Sequence, residues 1–270
     1  MTETDQYMQR LYVTDPLREP VLRAAIGVLH LPEGSRGLDA GCGIGLQVPL
    51  LAEAVGPSGH VTGLDLRPEF LVEAERIAEE SGLSGQVFFQ QGDVNKLPFE
   101  HDTFDWIWSA SCVGYGFEEP LPLVKELVRV VRPGGIVAIL VYSSQMLLPG
   151  YPLLEARLNA TATGIAPFTK SMRPESHWLR ALGWFGDAGL KEATARTFVS
   201  DFHAPLSGEI RDALIALFEM RWDGAESEVT AADWAEYQRL CQPDSADFIL
   251  DRPDYYAFFT ETLFHGKVAK

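Results

Sequence analysis

An α/β fold wound on a parallel sheet is what this sequence predicts, on three observations. Between Gly37 and Ser143, short runs rich in Val, Ile, Leu and Phe alternate with helical stretches, the pattern of successive strand–helix units. A glycine-rich loop stands at the first strand-to-helix junction. The 270 residues, 46% hydrophobic and 11% aromatic, are enough to bury the core of one enlarged domain without disulfides or metal.

The elements follow in order. Asp15 and Pro16 are read as the start of a helix through His30, with Val21, Leu22, Ala25, Ile26 and Leu29 as its apolar stripe. Strands are expected at Gly37 to Ala40, His60 to Leu66, Gln86 to Gln91, Thr103 to Ser109 and Gly135 to Tyr142. Between them lie helices at Leu46 to Val55, at Pro68 to Ser81 (opened by proline and closed at Gly82) and at Leu121 to Val131. Pro133, Gly134 and Gly135 stop the last of these.

Ser144 to Pro174 is broken by Pro149, Gly150, Pro152, Gly164 and Pro167 and is read as an irregular excursion. Ser176 to Gly189 reads as helical and Glu192 to Phe202 as a sixth strand. Two helices follow, Ser207 to Trp222 and Thr230 to Cys241, the second with Thr230 and Asp233 at capping-box spacing. Tyr255 to Val268 supplies a last strand. The expectation is a single domain over 1–270, with a core of about 20–143, 190–203 and 255–268. Segments of about 144–189 and 204–254 form a substrate cap that includes a helical insertion.

Charge narrows the partners. Lys and Arg number 22 against 38 Asp and Glu, a net charge of −16 that repels phosphate backbones and anionic lipid and favours small, especially cationic, molecules. Cys42, Cys112 and Cys241 are odd in number and far apart, as in a reducing compartment, and no apolar run reaches membrane-spanning length. The polar, acidic residues 1–10 lack the pattern of a secretory signal, so the cytoplasm is expected. No HExxH pattern, Cys/His ligand cluster or GxSxG elbow is present, which leaves a metal site and a serine hydrolase without support.

The loop itself is Leu38-Asp39-Ala40-Gly41-Cys42-Gly43-Ile44-Gly45. A dinucleotide fingerprint needs glycines at its first, third and sixth positions, and the sixth from Gly41 is Leu46, too bulky for close helix–strand contact. Asp39 favours an amine or a cation over a pyrophosphate. This stretch resembles the first motif of the class I S-adenosylmethionine-dependent methyltransferases. The resemblance runs in order over roughly residues 20–143 and is nearest to small-molecule enzymes of the quinone-biosynthesis type.

The resemblance implies a Rossmann-like sheet of seven strands, mostly parallel with an antiparallel last strand and helices on both faces. It also implies S-adenosyl-L-methionine as cofactor, held by Asp39, Gly41, Cys42, Gly43 and Gly45. Asp65 resembles the acidic residue that binds both ribose hydroxyls, although alone it also reads as a helix N-cap before Pro68. Asp93 resembles the adenine contact, Leu66 and Val94 the two sides of the adenine sandwich, and Ser109 a residue near the methionine moiety. Asp105, in the fourth-strand motif, is read as structural.

The implied reaction is an in-line methyl displacement, for which alignment of donor and acceptor supplies much of the rate. A base is needed only for an acceptor that holds its proton tightly. Catalytic candidates are Tyr115, His177 and His203, with Tyr142 as a further candidate. Trp178, Trp184 and Trp222 are weighed as pocket lining against ordinary core, and Tyr7 and Tyr12 as residues closing over the cofactor. No Asn-Pro-Pro-Tyr, Asp-Pro-Pro-Tyr or Pro-Cys pair marks a DNA-modifying enzyme. The acceptor is expected to be a small, partly apolar molecule. An NAD-dependent oxidoreductase and a non-catalytic S-adenosylmethionine-binding protein are the alternatives.

Overall fold

The structure, a computed structural model, describes residues 2–113, 119–166 and 172–269. Seven strands form one sheet: β1 (Arg36–Ala40), β2 (His60–Asp65), β3 (Val87–Gln91), β4 (Phe104–Ala110), β5 (Val131–Met146), β6 (Lys191–His203) and β7 (Tyr256–Lys267), in the order β3-β2-β1-β4-β5-β7-β6. β1 pairs parallel with β2 and β4, β2 with β3, and β4 with β5. β7 runs the other way. It meets β5 through the Gly134 amide on the Val268 carbonyl and Ser143 beside Thr260, and meets β6 through Thr197 beside Thr262 and the Ala204 amide on the Tyr255 carbonyl. The expected mostly parallel sheet with a reversed last strand is thus observed.

Around the sheet lie α1 (Glu3–Gly27), α2 (Val48–Val55), α3 (Pro68–Glu80), α4 (Pro120–Val130), α5 (Pro152–Asn159), α6 (Ala162–Ile165), α7 (Ala181–Asp187), α8 (Gly208–Trp222) and α9 (Ala231–Cys241). A proline in the first turn opens α2, α3 and α4, where its missing amide costs no helical bond. Thr230 and Asp233, expected at capping-box spacing, cap α9: the Asp233 amide donates to the Thr230 hydroxyl at 3.1 Å, and that hydroxyl donates to the Asp233 carboxylate at 2.8 Å.

Four segments differ from expectation. α1 starts at Glu3 rather than at Asp15–Pro16, because Thr2 and Asp5 cap it reciprocally, the Thr2 amide on the Asp5 carboxylate and the Asp5 amide on the Thr2 hydroxyl. Pro16 and Pro20 lie inside the helix, each removing one backbone donor without ending it. β5 begins at Val131, ahead of the proline–glycine stop. Between Phe104↔Val131 and Trp106↔Ile136 its register shifts, so residues 132–135 bulge out and the strand resumes. The excursion after β5 contains α5 and α6, and the helix expected over Ser176 to Gly189 is instead α7 preceded by short 3₁₀ turns at Pro174–Ser176 and Trp178–Arg180.

The chain divides into two compact units, one of residues 1–20, 143–172 and 199–260, the other of residues 21–142, 173–198 and 261–270. In the second, Val21, Leu22, Ala25, Ile26 and Leu29 are buried in one cluster with Val48, Leu51 and Val55 of α2 and Trp106 and Trp108 of β4. In the first, Trp222 is fully buried and its indole N–H donates to Asn159 at 3.0 Å, so it is core rather than pocket lining. Glu155, only 2% exposed, accepts the Leu147 amide at 2.7 Å and the Leu148 amide at 3.0 Å, which fixes the chain as it leaves β5. Glu155→Ala strands two buried donors and is expected to lower stability by about 3 kcal/mol. An unmoved urea midpoint would show that this anchor carries no load.

Candidate cofactor site

The site is built where β1 and β2 end side by side, with Asp39 opposite Gly63 and Ala40 opposite Leu64. The amides of Gly41 and Cys42 both donate to the Leu64 carbonyl, at 2.8 and 2.9 Å, which folds the glycine loop across the end of β2. One Asp65 oxygen then accepts the Gly43 amide and the other the Arg67 amide, each at 3.0 Å. A carboxylate has about four acceptor positions, so roughly two stay available for ligand hydroxyls. Asp65 therefore shapes the loop.

Two glycines are required for different reasons. Gly41 has φ 81°, and a Cβ there would fall 2.6 Å from the Cys112 sulfur. Gly43 has φ 55°, but nothing lies within 4 Å of where its Cβ would project. Open space above a loop whose amides are already tied down is what a bound ligand needs. Gly43→Ala is therefore expected to cost only about 1 kcal/mol in folding, the left-handed penalty, while sharply weakening cofactor binding. Thermal unfolding and calorimetry on the same sample separate the two effects, and unchanged affinity would place the ligand elsewhere.

Asp39 is 2% exposed, and its Oδ2 has no hydrogen-bond partner among the described residues. Burial, reinforced by the Asp65 charge, pushes its carboxyl up to about 8. Burial also raises the Cys42 thiol and takes that of Cys112 to about 12, with neighbouring Asp39 and Asp65 acting in the same direction, so both thiols stay neutral.

The ends of β2 and β3 are tied together by the Gly92 amide on the Asp65 carbonyl and the Gln91 side chain on the Leu66 carbonyl, both at 3.0 Å. Leu66 is 63% exposed, an unusual position for leucine that leaves an apolar shelf beside Asp65, while Val94 is buried. Asp93 holds a tight turn, its Oδ1 accepting both the backbone and the side-chain N–H of Asn95 at 2.8 Å. Ser109 is fully buried and donates to the Ala40 carbonyl at 2.8 Å, joining β4 to the last residue of β1. Asp105 accepts the Arg36 amide and pairs with Arg132, a structural arrangement.

Among the catalytic candidates, Tyr115 lies outside the described residues. His177 is half-buried, stacks on Trp178 with ring centroids 4.1 Å apart, and accepts the Leu179 amide at Nδ1. Burial holds its pKa below the ordinary value. His203 is exposed at the end of β6, in the other unit, on a groove of about 370 Å³ that Pro16, Pro20 and Pro205 also line. Trp178 and Trp184 are buried, and Tyr142 is half-buried on β5.

Sequence reasoning missed two supports. Gln47 accepts the Trp108 indole N–H at 2.7 Å at the entry to α2, and Cys112 packs on Gly41 because Ser111 turns the chain with φ 52°. Neither the rotamer of a glutamine nor a left-handed serine has a sequence signal.

Residues 38–135 match the family model described as Methyltransferase domain. The demethylmenaquinone methyltransferase of Bacillus subtilis is 35% identical over 116 residues, 42% of this chain and 48% of the relative. That of Lysinibacillus sphaericus is 39% identical over 121 residues, 44% of this chain and 48% of the relative. The chain spans about half the length of these curated relatives. A SAM-dependent methyltransferase from Aquifex aeolicus is 25% identical with TM-score 0.50, over 73% of this chain and 92% of that one. Phosphoethanolamine N-methyltransferase 2 of Haemonchus contortus, solved with S-adenosyl-L-methionine, shares the fold at TM-score 0.56 and 16% identity, over 96% of this chain and 57% of that one.

Proposed function

We propose that the chain is a class I S-adenosylmethionine-dependent methyltransferase that transfers a methyl group from S-adenosyl-L-methionine to a small-molecule acceptor, a reading supported by the match of residues 38–135 to the methyltransferase-domain model and by the methyltransferases it resembles. The observation that carries this reading is the buried Asp39 oxygen without a partner beside a glycine loop open at Gly43. A cationic, hydroxyl-bearing nucleoside fits that pair of features, and a pyrophosphate does not. When bound, the cofactor supplies an electrophilic methyl group on a sulfonium.

The chain's own part is to bind and orient. Asp65 offers acceptors to the ribose, Leu66 and Val94 apolar surface and Asp93 a carboxylate to the adenine, and Asp39 a negative charge to the cationic end. Ser109 acts through Ala40, holding β1 and β4 in step. On the acceptor side we assign Tyr115, His177 and His203. With Nδ1 already accepting a backbone N–H, neutral His177 carries its proton on Nε2 and serves to orient an acceptor oxygen rather than to remove a proton.

Residues 144–189 and 204–254 serve in this reading as the cap around the acceptor within a single methyltransferase domain. Three free cysteines fit a reducing cytoplasm, and among the described residues no helix is long and apolar enough to cross a membrane. The test is calorimetry with S-adenosylhomocysteine and with NADH, followed by transfer of label from S-adenosyl-L-methionine into a small-metabolite extract. Binding of the first ligand alone and label in a small organic product are expected. Binding of NADH instead, or label that stays in the donor, would overturn the proposal.

A further inference from the structure

β6 ends the sheet order, so among the described residues one of its backbone edges has no strand partner. Its first seven residues, Lys191 to Thr197, are all exposed, which leaves both side-chain faces bare along that edge. Ala193, Thr194 and Ala195 at the centre are small and β-compatible, with no proline to block pairing. The Ala204 amide bonds to Tyr255 and Thr197 stands opposite Thr262, so the register of β6 on β7 is constant here. Even-numbered residues turn their backbone groups to β7, and those of 193, 195 and 197 point outward.

The charges on this segment are self-complementary. With two copies antiparallel about a two-fold axis at Thr194, Ala193 faces Ala195 of the other copy and Glu192 faces Arg196, twice over by symmetry. Outward backbone groups at 193 and 195 form the hydrogen-bonded pairs. Thr194 then meets its own copy in a non-hydrogen-bonded pair, where side chains approach most closely, and Arg196 stands at the end of the ladder opposite Glu192. Glu192 already meets Lys267 of its own strand pair, and Arg196 lies over the Phe198 ring with 5.1 Å to the centroid. The second copy would complete a row in which each Glu192 carboxylate lies between two cations. Glu192 has φ 53°, a bend that ends the flat segment, so the backbone ladder runs over Ala193 to Ala195 and the Glu192 carboxylate, held beside Lys267, meets Arg196 of the other copy from the bend.

We propose that β6 is a homodimerisation edge, pairing antiparallel with β6 of a second copy about Thr194 and held in register by reciprocal Glu192–Arg196 ion pairs. Sedimentation equilibrium over a concentration series at low salt tests it, since the wild-type mass should climb toward twice the monomer. Arg196→Glu and Glu192→Arg should each associate about tenfold or more weakly alone, because each places like charges opposite one another, and equal amounts of the two mixed should associate again. Thr194→Cys gives a second readout. Cα atoms about 4.5 Å apart in a non-hydrogen-bonded pair suit a disulfide, so an added oxidant should link this variant into dimers faster than wild type. Wild type that stays monomeric throughout, an Arg196→Glu variant that associates as well as wild type, or a Thr194→Cys variant that links no faster would each overturn the proposal.

Discussion

Asp65→Ala is expected to weaken S-adenosylhomocysteine binding by about 100-fold or more, roughly 3 kcal/mol, with the chain still folded. Two losses add. The ribose loses its acceptor, and the Gly43 and Arg67 amides lose the carboxylate that each meets at 3.0 Å, so the loop is no longer held in its binding shape. Asp65→Asn should fall between, since one carbonyl oxygen survives and the other position becomes a donor facing an amide. Titration calorimetry measures all three proteins, with circular dichroism to establish that each is folded. Equal affinity for wild type and Asp65→Ala would remove the ribose assignment.

Such a prediction was legible because the residues behind it are adjacent in sequence to strand ends, and strand ends are what alternating apolar runs reveal. The glycine loop follows β1, Asp65 ends β2 and Asp93 stands two residues beyond β3, each within two residues of the expected boundaries. The parallel core was readable for the same reason: apolar runs such as Trp106-Ile107-Trp108 and Ile136 to Val141 mark its strands, and proline opens three of its helices. What escaped was set by single side-chain bonds. The start of α1 depends on Thr2 and Asp5 closing on each other, which competes with an equally plausible proline start at Pro16. The continuation of β5 through Pro133 depends on a bulge against β4, and propensity does not encode a bulge. The acceptor side stayed illegible because no strand end marks His177: it sits between two short 3₁₀ turns and is held there by its neighbours Trp178 and Leu179.

Asp39 sets the second large effect, and it is a proton effect. With its carboxyl at about 8 against an ordinary 3.8, the folded chain keeps a proton that the unfolded chain has released across the interval between. Raising the pH through that window therefore favours unfolding, at about 1.4 kcal/mol per unit and on the order of 5 kcal/mol in all. Below about 4 both states are protonated at Asp39 and above about 8 both are ionised, so Asp39's share of the slope should vanish outside the window. The stability difference between wild type and Asp39→Asn should carry that share between pH 4 and 8, the contribution of Asp15, which burial raises to about 6, being common to both, and the variant should be more stable than wild type at the upper end.

Cofactor binding should reverse the preference. A cationic ligand end stabilises the ionised carboxylate, so binding near pH 7 should release up to one proton from Asp39. The other titratable groups facing Asp39 are Asp65, Cys42 and Cys112, and burial keeps the two thiols protonated at this pH. Binding heats in buffers of different ionisation enthalpy count the released protons directly. Release from wild type and its loss in Asp39→Asn, together with weaker binding, would mean that the same buried charge destabilises the ligand-free fold and recognises the ligand. A buffer-independent heat for wild type, or a stability slope that Asp39→Asn leaves unchanged, would mean that Asp39 gives up no proton to the cofactor and that its missing partner is not the cationic end of the ligand.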